Sequence, residues 1–77
     1  MINITFEFSS FFSRYLEGKT RLQIEIEPGF DTLHILSDLG IPQSEIGLVT
    51  NFEEKVSHDY IPKDGDILRV YPTIIGG

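Results

Sequence analysis

Two stretches of strict alternation dominate the first third of this chain. In Ile2-Asn3-Ile4-Thr5-Phe6-Glu7-Phe8 the apolar side chains share one face and Asn3, Thr5 and Glu7 share the other. Leu22-Gln23-Ile24-Glu25-Ile26-Glu27 repeats the pattern, and Pro28-Gly29 stops it. A period of two marks a strand with one face buried and one face wet. The chain has 77 residues, enough for one domain. A chain of this size buries only about 60% of its unfolded surface. Both strands must therefore put their apolar faces on the same core, as antiparallel neighbours joined by a link longer than a tight hairpin.

That link, Ser9 to Gly18, reads as one or two helical turns across the end of the sheet. A serine can cap it, apolar residues stand at 11, 12, 15 and 16, and Gly18 can end it. The main helix starts at Asp31 or Thr32 and carries Leu33, Ile35, Leu36 and Leu39 as its apolar stripe. Gly40 suits the position just past its end, and Pro42 prevents continuation. At about two turns it cannot stand alone and needs the sheet. Pro42 to Ile46 is a connector and Gly47 to Asn51 a short buried strand. Phe52 to Lys55 is a polar turn, and Val56 to Tyr60 a short edge strand. Pro62-Lys63-Asp64-Gly65-Asp66 is a turn, and Ile67 to Tyr71 the last strand, closed by Pro72, which has no N–H to extend a ladder.

The order β-(short α)-β-α-β-β-β predicts an α+β domain with one covered sheet face. The right-handed crossover rule lets the last strand lie in the middle of the sheet, parallel to the first. The expected fold is a β-grasp roll: a mixed sheet of four to five strands with one main helix across it. The domain is expected to span residues 1–72 and a flexible tail residues 73–77.

Composition narrows the function. A net charge of -6 repels phosphate backbones, which disfavours nucleic-acid binding and suits a basic protein partner. No apolar run approaches the roughly 18 residues of a membrane span, and no secretory leader is visible. The absence of cysteine excludes disulfides and an internal thiol nucleophile, and suits a cytoplasmic protein. His34 and His58 lack metal-ligand spacing. Glu53-Glu54 and Asp64-Gly65-Asp66 read as turn chemistry, since calcium needs more oxygen ligands. No phosphate-binding or dinucleotide loop is present. A free-standing enzyme is not expected.

The sequence closes on Tyr71-Pro72-Thr73-Ile74-Ile75-Gly76-Gly77. Glycine packs poorly and costs the most entropy to order. Read as a terminus, Gly76-Gly77 suits the passage of a carboxylate through a narrow channel. Frayed ends are also often glycine-rich, so the pair gains weight only from the domain that would present it.

The ordered set of the opening strand, Asp31-Thr32-Leu33, Gly40-Ile41-Pro42, Leu48-Val49-Thr50-Asn51, Asp64-Gly65-Asp66 and Tyr71-Pro72 before Gly76-Gly77 resembles the MoaD/ThiS family of ubiquitin-like sulfur carriers, nearest the small subunit of molybdopterin synthase. The resemblance spans essentially the whole chain. It departs where the family often places a glycine after the asparagine of the strand 3–4 turn. Phe52 stands there, which predicts a wider loop. Tyr71-Pro72 replaces the Phe-Pro usual in the molybdopterin branch.

The resemblance implies a chemistry. An E1-like adenylyltransferase (MoeB/ThiF type) would use ATP and magnesium to adenylate Gly77. An external sulfur donor would then displace AMP and leave a thiocarboxylate. This chain itself would bind no cofactor. Gly76 would let the backbone pass where a Cβ would collide, and Ile74 and Ile75 would line the partner's channel. Tyr71 and Pro72 would face the partner, a molybdopterin synthase large subunit (MoaE type). Three other readings stay open: a carrier for thiamin thiazole synthesis, a protein modifier conjugated through Gly77, and a binding module with an incidental Gly-Gly end.

Overall fold

The computed structural model describes residues 1–73. Five strands form one sheet: β1 (Ile2–Phe8), β2 (Arg21–Ile26), β3 (Ile46–Asn51), β4 (Glu54–Val56) and β5 (Ile67–Pro72). Their order across the sheet is β2-β1-β5-β3-β4. β5 runs parallel to β1 and antiparallel to β3, so the last strand is central, as its crossover predicts. This is the expected β-grasp arrangement.

The alternation of β1 places Ile4, Phe6 and Phe8 in the core, joined by Leu68 and Val70 of β5, Val49 and Ile46 of β3 and Ile41. Each fully buried side chain of this size contributes about 1.5–3 kcal/mol. The helix α1 (Thr32–Asp38) covers the buried face of the sheet and buries Thr32, Ile35 and Leu36. Leu33 and Leu39, on the flanks of its stripe, are only partly buried. Asp31 caps α1 by accepting the His34 N–H at 2.8 Å. Gly40 follows the helix at φ +89°, the left-handed geometry a C-terminal glycine permits. The link between β1 and β2 is a 3-10 helix, Ser10–Tyr15, that inserts Phe12 beneath the sheet's end. A second 3-10 turn, Gln43–Glu45, precedes β3.

A buried polar cluster ties the helix start to the last turn. The Tyr60 carbonyl accepts both the Thr32 N–H (2.8 Å) and its hydroxyl (2.7 Å). The Tyr60 hydroxyl donates to Asp66 Oδ2 at 2.6 Å and accepts from the Asn51 amide at 3.1 Å. Asp66 also accepts the Lys63 N–H at 2.9 Å, and Asp64 accepts the Asn3 N–H at 2.7 Å. The acidic pair at 64 and 66 is thus turn chemistry, as expected.

Two local expectations are corrected. The loop between β3 and β4 is not wide: Asn51 pairs with Glu54, leaving only Phe52 and Glu53 between the strands. Phe52 takes φ +56° itself, supplying the positive φ that the first position of a II′-type hairpin demands. The edge strand begins at Glu54 and ends at Val56, so it does not run from Val56 to Tyr60. The Tyr60 hydroxyl and carbonyl hold that segment against Asp66 and Thr32 instead of leaving its backbone to a ladder.

Candidate functional site

The site builds up around the end of β5. Leu68 and Val70 point into the core and are fully buried, which fixes the strand's rotation. Ile67, Arg69 and Tyr71 therefore point to the sheet's open face, opposite α1. Tyr71 is 39% exposed, an aromatic ring offered to solvent beside the chain's exit from the sheet. Arg69 stands next to it. Its guanidinium bonds Glu7 Oε1 at 2.7 Å, while Glu7 Oε2 accepts from Arg21 at 2.7 Å. The hydrogen bond from Arg69 is the main influence holding the Glu7 carboxyl below its usual range. Glu7 and then Tyr71 raise Arg69 above its ordinary value. The open face is thus an ordered polar ladder ending in Tyr71.

Beyond Tyr71 the chain is gripped by the approach to β3. Pro72 lies in register with Ile46, and the ladder is irregular between Ile46 and Leu48. A bulge there sets the Gly47 backbone against the exit: a Cβ on Gly47 would lie 2.6 Å from the Pro72 carbonyl oxygen and 3.0 Å from Thr73 Cα. Only glycine allows that approach. Thr73 then donates its N–H to the Glu45 carbonyl at 3.0 Å and its hydroxyl to the Ser44 carbonyl at 3.1 Å. His58 Nε2 lies 3.1 Å from the Gly47 carbonyl and braces the bulge from the other side. Burial first, and then Glu45, pushes the Tyr15 hydroxyl up.

Of the residues expected to carry function, the structure brings Tyr71 and Pro72 together at this exit. Ile74, Ile75, Gly76 and Gly77 lie outside the described residues. Sequence reading missed Gly47, Glu45 and Thr73 as a clamp. The available signal was a glycine at a strand position, which marks a bulge or a close backbone approach. Among the described residues no group of His, Asp or Glu is placed to hold a metal, and no helix is long and apolar enough to cross a membrane.

Residues 1–75 match the sequence profile of the family described as Mut7-C ubiquitin. Among solved structures, the fold is similar to a Pyrococcus furiosus protein provisionally described as molybdopterin converting factor subunit 1. Identity is 17% and the TM-score 0.72, covering 96% of this chain and 100% of that one. It is similar to small archaeal modifier protein 1 of Haloferax volcanii, at 12% identity and a TM-score of 0.73, over 96% of this chain and 100% of the other. A chain of the Amycolatopsis orientalis BexX/CysO complex matches at 20% identity and a TM-score of 0.66, over 96% of this chain and 99% of that one. No curated protein matches the sequence. At these identities the structural likeness speaks to the fold, a ubiquitin-like β-grasp.

Proposed function

The chain belongs to the Mut7-C ubiquitin family, and from that premise we propose that it is a sulfur carrier that delivers sulfur as a thiocarboxylate on Gly77. The observation that supports this most is the exit clamp. β5 is central, and Gly47, Glu45 and Ser44 hold the chain at Pro72 and Thr73. A carrier of this design places its root rigidly, so that a partner need order only the few residues beyond it. That lowers the entropic cost of inserting an acyl end into a remote active site.

In this proposal Gly77 is the C-terminus, and its carboxylate is a poor acyl donor, because oxide would have to leave. In the proposed sequence an E1-like adenylyltransferase catalyses attack of that carboxylate on the α-phosphate of ATP, with magnesium, releasing pyrophosphate. Hydrosulfide supplied by an external donor adds to the acyl carbon, AMP departs and the S–H proton is lost to solvent, leaving the thiocarboxylate. Residues 1–77 contain no cysteine, so neither the sulfur nor a capturing thiol comes from among them. Tyr71, at the root, is the aromatic contact for the partner, since such residues dominate interface energetics. The acceptor reaction we favour is molybdopterin synthesis with a synthase large subunit of the MoaE type. The Pyrococcus furiosus neighbour supports that choice, and Tyr71-Pro72 is the sequence reason for it.

A second reading is conjugation to target lysines, favoured by the likeness to small archaeal modifier protein 1. The two are separated by incubating the chain with ATP, magnesium, an E1-like enzyme and sulfide. A carrier gives a stable thiocarboxylate whose sulfur passes to the substrate of the added synthase large subunit, water restoring the Gly77 carboxylate. A modifier instead gives covalent ladders in extract that vanish when Gly76-Gly77 is deleted. Tyr71→Ala should weaken binding to the large subunit by about tenfold or more, a loss of roughly 1.4 kcal/mol or more.

A further inference from the structure

A second surface lies at the β2 edge of the sheet, which β1 separates from β5. β2 is an edge strand of six residues without proline or bulge. Edges of this kind are templates for another strand unless they are covered or blunted. Which backbone groups point outward follows from the ladder. Phe8 N–H donates to the Thr20 carbonyl, while Thr5 N–H donates the other way, to the Asp66 carbonyl. Paired residues alternate along an antiparallel ladder, and Ile4 and Phe6 stand opposite Ile24 and Leu22. Leu22, Ile24 and Ile26 therefore turn their N–H and C=O groups toward β1. Arg21, Gln23 and Glu25 present theirs at the open edge.

The space beneath that edge is apolar and open. No residue of β2 is fully buried, because α1 does not reach far enough to cover Ile24 and Ile26. Between α1 and β2 runs a groove of about 400 Å³, lined by Ile24, Ile26, Ile35 and Leu39. Met1 and Phe30, both exposed, form its lips. Phe30 stacks on His34 with ring centroids 4.8 Å apart, which holds the lip in place. The lining carries two carboxylates, Glu27 and Asp38, the second 3.4 Å from His34 Nε2, and neither lysine nor arginine, on a chain of net charge -6.

We propose that this groove binds an extended protein segment of alternating apolar residues flanked by lysine or arginine, added to the β2 edge as a sixth strand. Its backbone pairs with Gln23 and Glu25. Its alternate side chains drop beside Ile24 and Ile26 into the space under α1, about 4.8 Å further out than β2 itself. Its basic flanks meet Glu27 and Asp38. A second copy of this chain is the poorer occupant, because it would set acidic rim against acidic rim.

The test uses the full chain and synthetic ten-residue peptides: valine–threonine, isoleucine–serine and leucine–threonine alternations, each flanked by lysine pairs or by glutamate pairs. Backbone amide exchange is followed by NMR. At least one lysine-flanked peptide should slow exchange at the Gln23 and Glu25 amides and shift the Phe30 and His34 ring signals. Its glutamate-flanked twin should bind at least about tenfold more weakly, and added salt should narrow the difference. Glu25→Pro removes an outward N–H without touching the β1 ladder, and should abolish the protection while thermal unfolding stays cooperative. Should that variant unfold, Glu27→Lys with Asp38→Lys serves instead, and should invert the preference between the flanks. The proposal is overturned if no lysine-flanked peptide slows those amides, or if both flank types bind alike. Protection that grows with protein concentration alone would overturn it in favour of self-pairing.

Discussion

Gly47 and Pro72 sit so close that a Cβ on the first would stand 2.6 Å from the carbonyl oxygen of the second. The contact joins the bulge of β3 to the end of β5 and makes the chain's exit a fixed point of the fold. Both neighbours are backbone, so neither can swing aside. Gly47→Ala should destabilise the domain by about 1–3 kcal/mol, the usual cost of overpacking. In NMR spectra the Thr73 amide should lose its protection, because its acceptor Glu45 lies on the displaced segment. A variant of wild-type stability with Thr73 still protected would show that the approach is looser than described.

The Tyr60–Asp66 pair sets an acid limit on stability. Burial alone would raise the Asp66 carboxyl. The Lys63 N–H, the Tyr60 hydroxyl and the Asn51 amide outweigh it and leave the group below its ordinary value. A carboxylate depressed in the folded state stabilises above its unfolded pKa, about 3.9, and that stability is lost as pH falls through the folded value. Tyr60 moves the other way: its bond to Asp66, then burial, raises it. Its share is present below the unfolded tyrosine pKa of about 10 and is lost as pH rises through the folded value. Tyr60→Phe removes the hydroxyl bonds to Asp66 and to the Asn51 amide while Asp66 keeps the Lys63 N–H, and should cost about 1–3 kcal/mol near neutrality. Denaturant titrations of both proteins from acid to neutral pH should show the gap shrinking toward the acid end. A gap independent of pH would separate Tyr60 from the Asp66 titration.

Phe52 is strained for a reason visible in the hairpin. It holds φ +56° at the first loop position and is 57% exposed, so little packing compensates. Phe52→Gly should raise stability by up to about 1 kcal/mol, since glycine adopts this geometry without a Cβ penalty. A lowered melting temperature would mean the exposed ring contributes a contact that outweighs the strain.

The same hairpin shows where sequence reading ran out. β1, β2 and α1 were legible because alternation and capping are local: Ile4 and Phe6 had to face one way, and Asp31 had to cap something. The parallel central place of β5 followed from chain order and a chirality rule. The hairpin loop was misread because the sequence offers no glycine or asparagine at 52 to announce a positive φ. There the pairing of Asn51 with Glu54 overrides local preference. β4 was misplaced because Val56 to Tyr60 looks like a strand, yet Tyr60 is spent on Asp66 and Thr32. At the candidate site, Tyr71 and Pro72 could be named only through the family resemblance. The clamp could not, because Thr73 meets Glu45 and Ser44 across 28 and 29 positions of chain.

The central claim is that Gly77 carries sulfur, and the intact mass of the chain isolated from its own cells, with no C-terminal tag, tests it most directly. The expected result is a chain ending at Gly77 that includes a species heavier by the difference between one sulfur and one oxygen. That species should disappear on treatment with a thiol-alkylating reagent in favour of its alkylated product, and should never form in a variant lacking Gly77. A chain that carries only the carboxylate mass, even after incubation with ATP, magnesium, an activating enzyme and a sulfur donor, would contradict it.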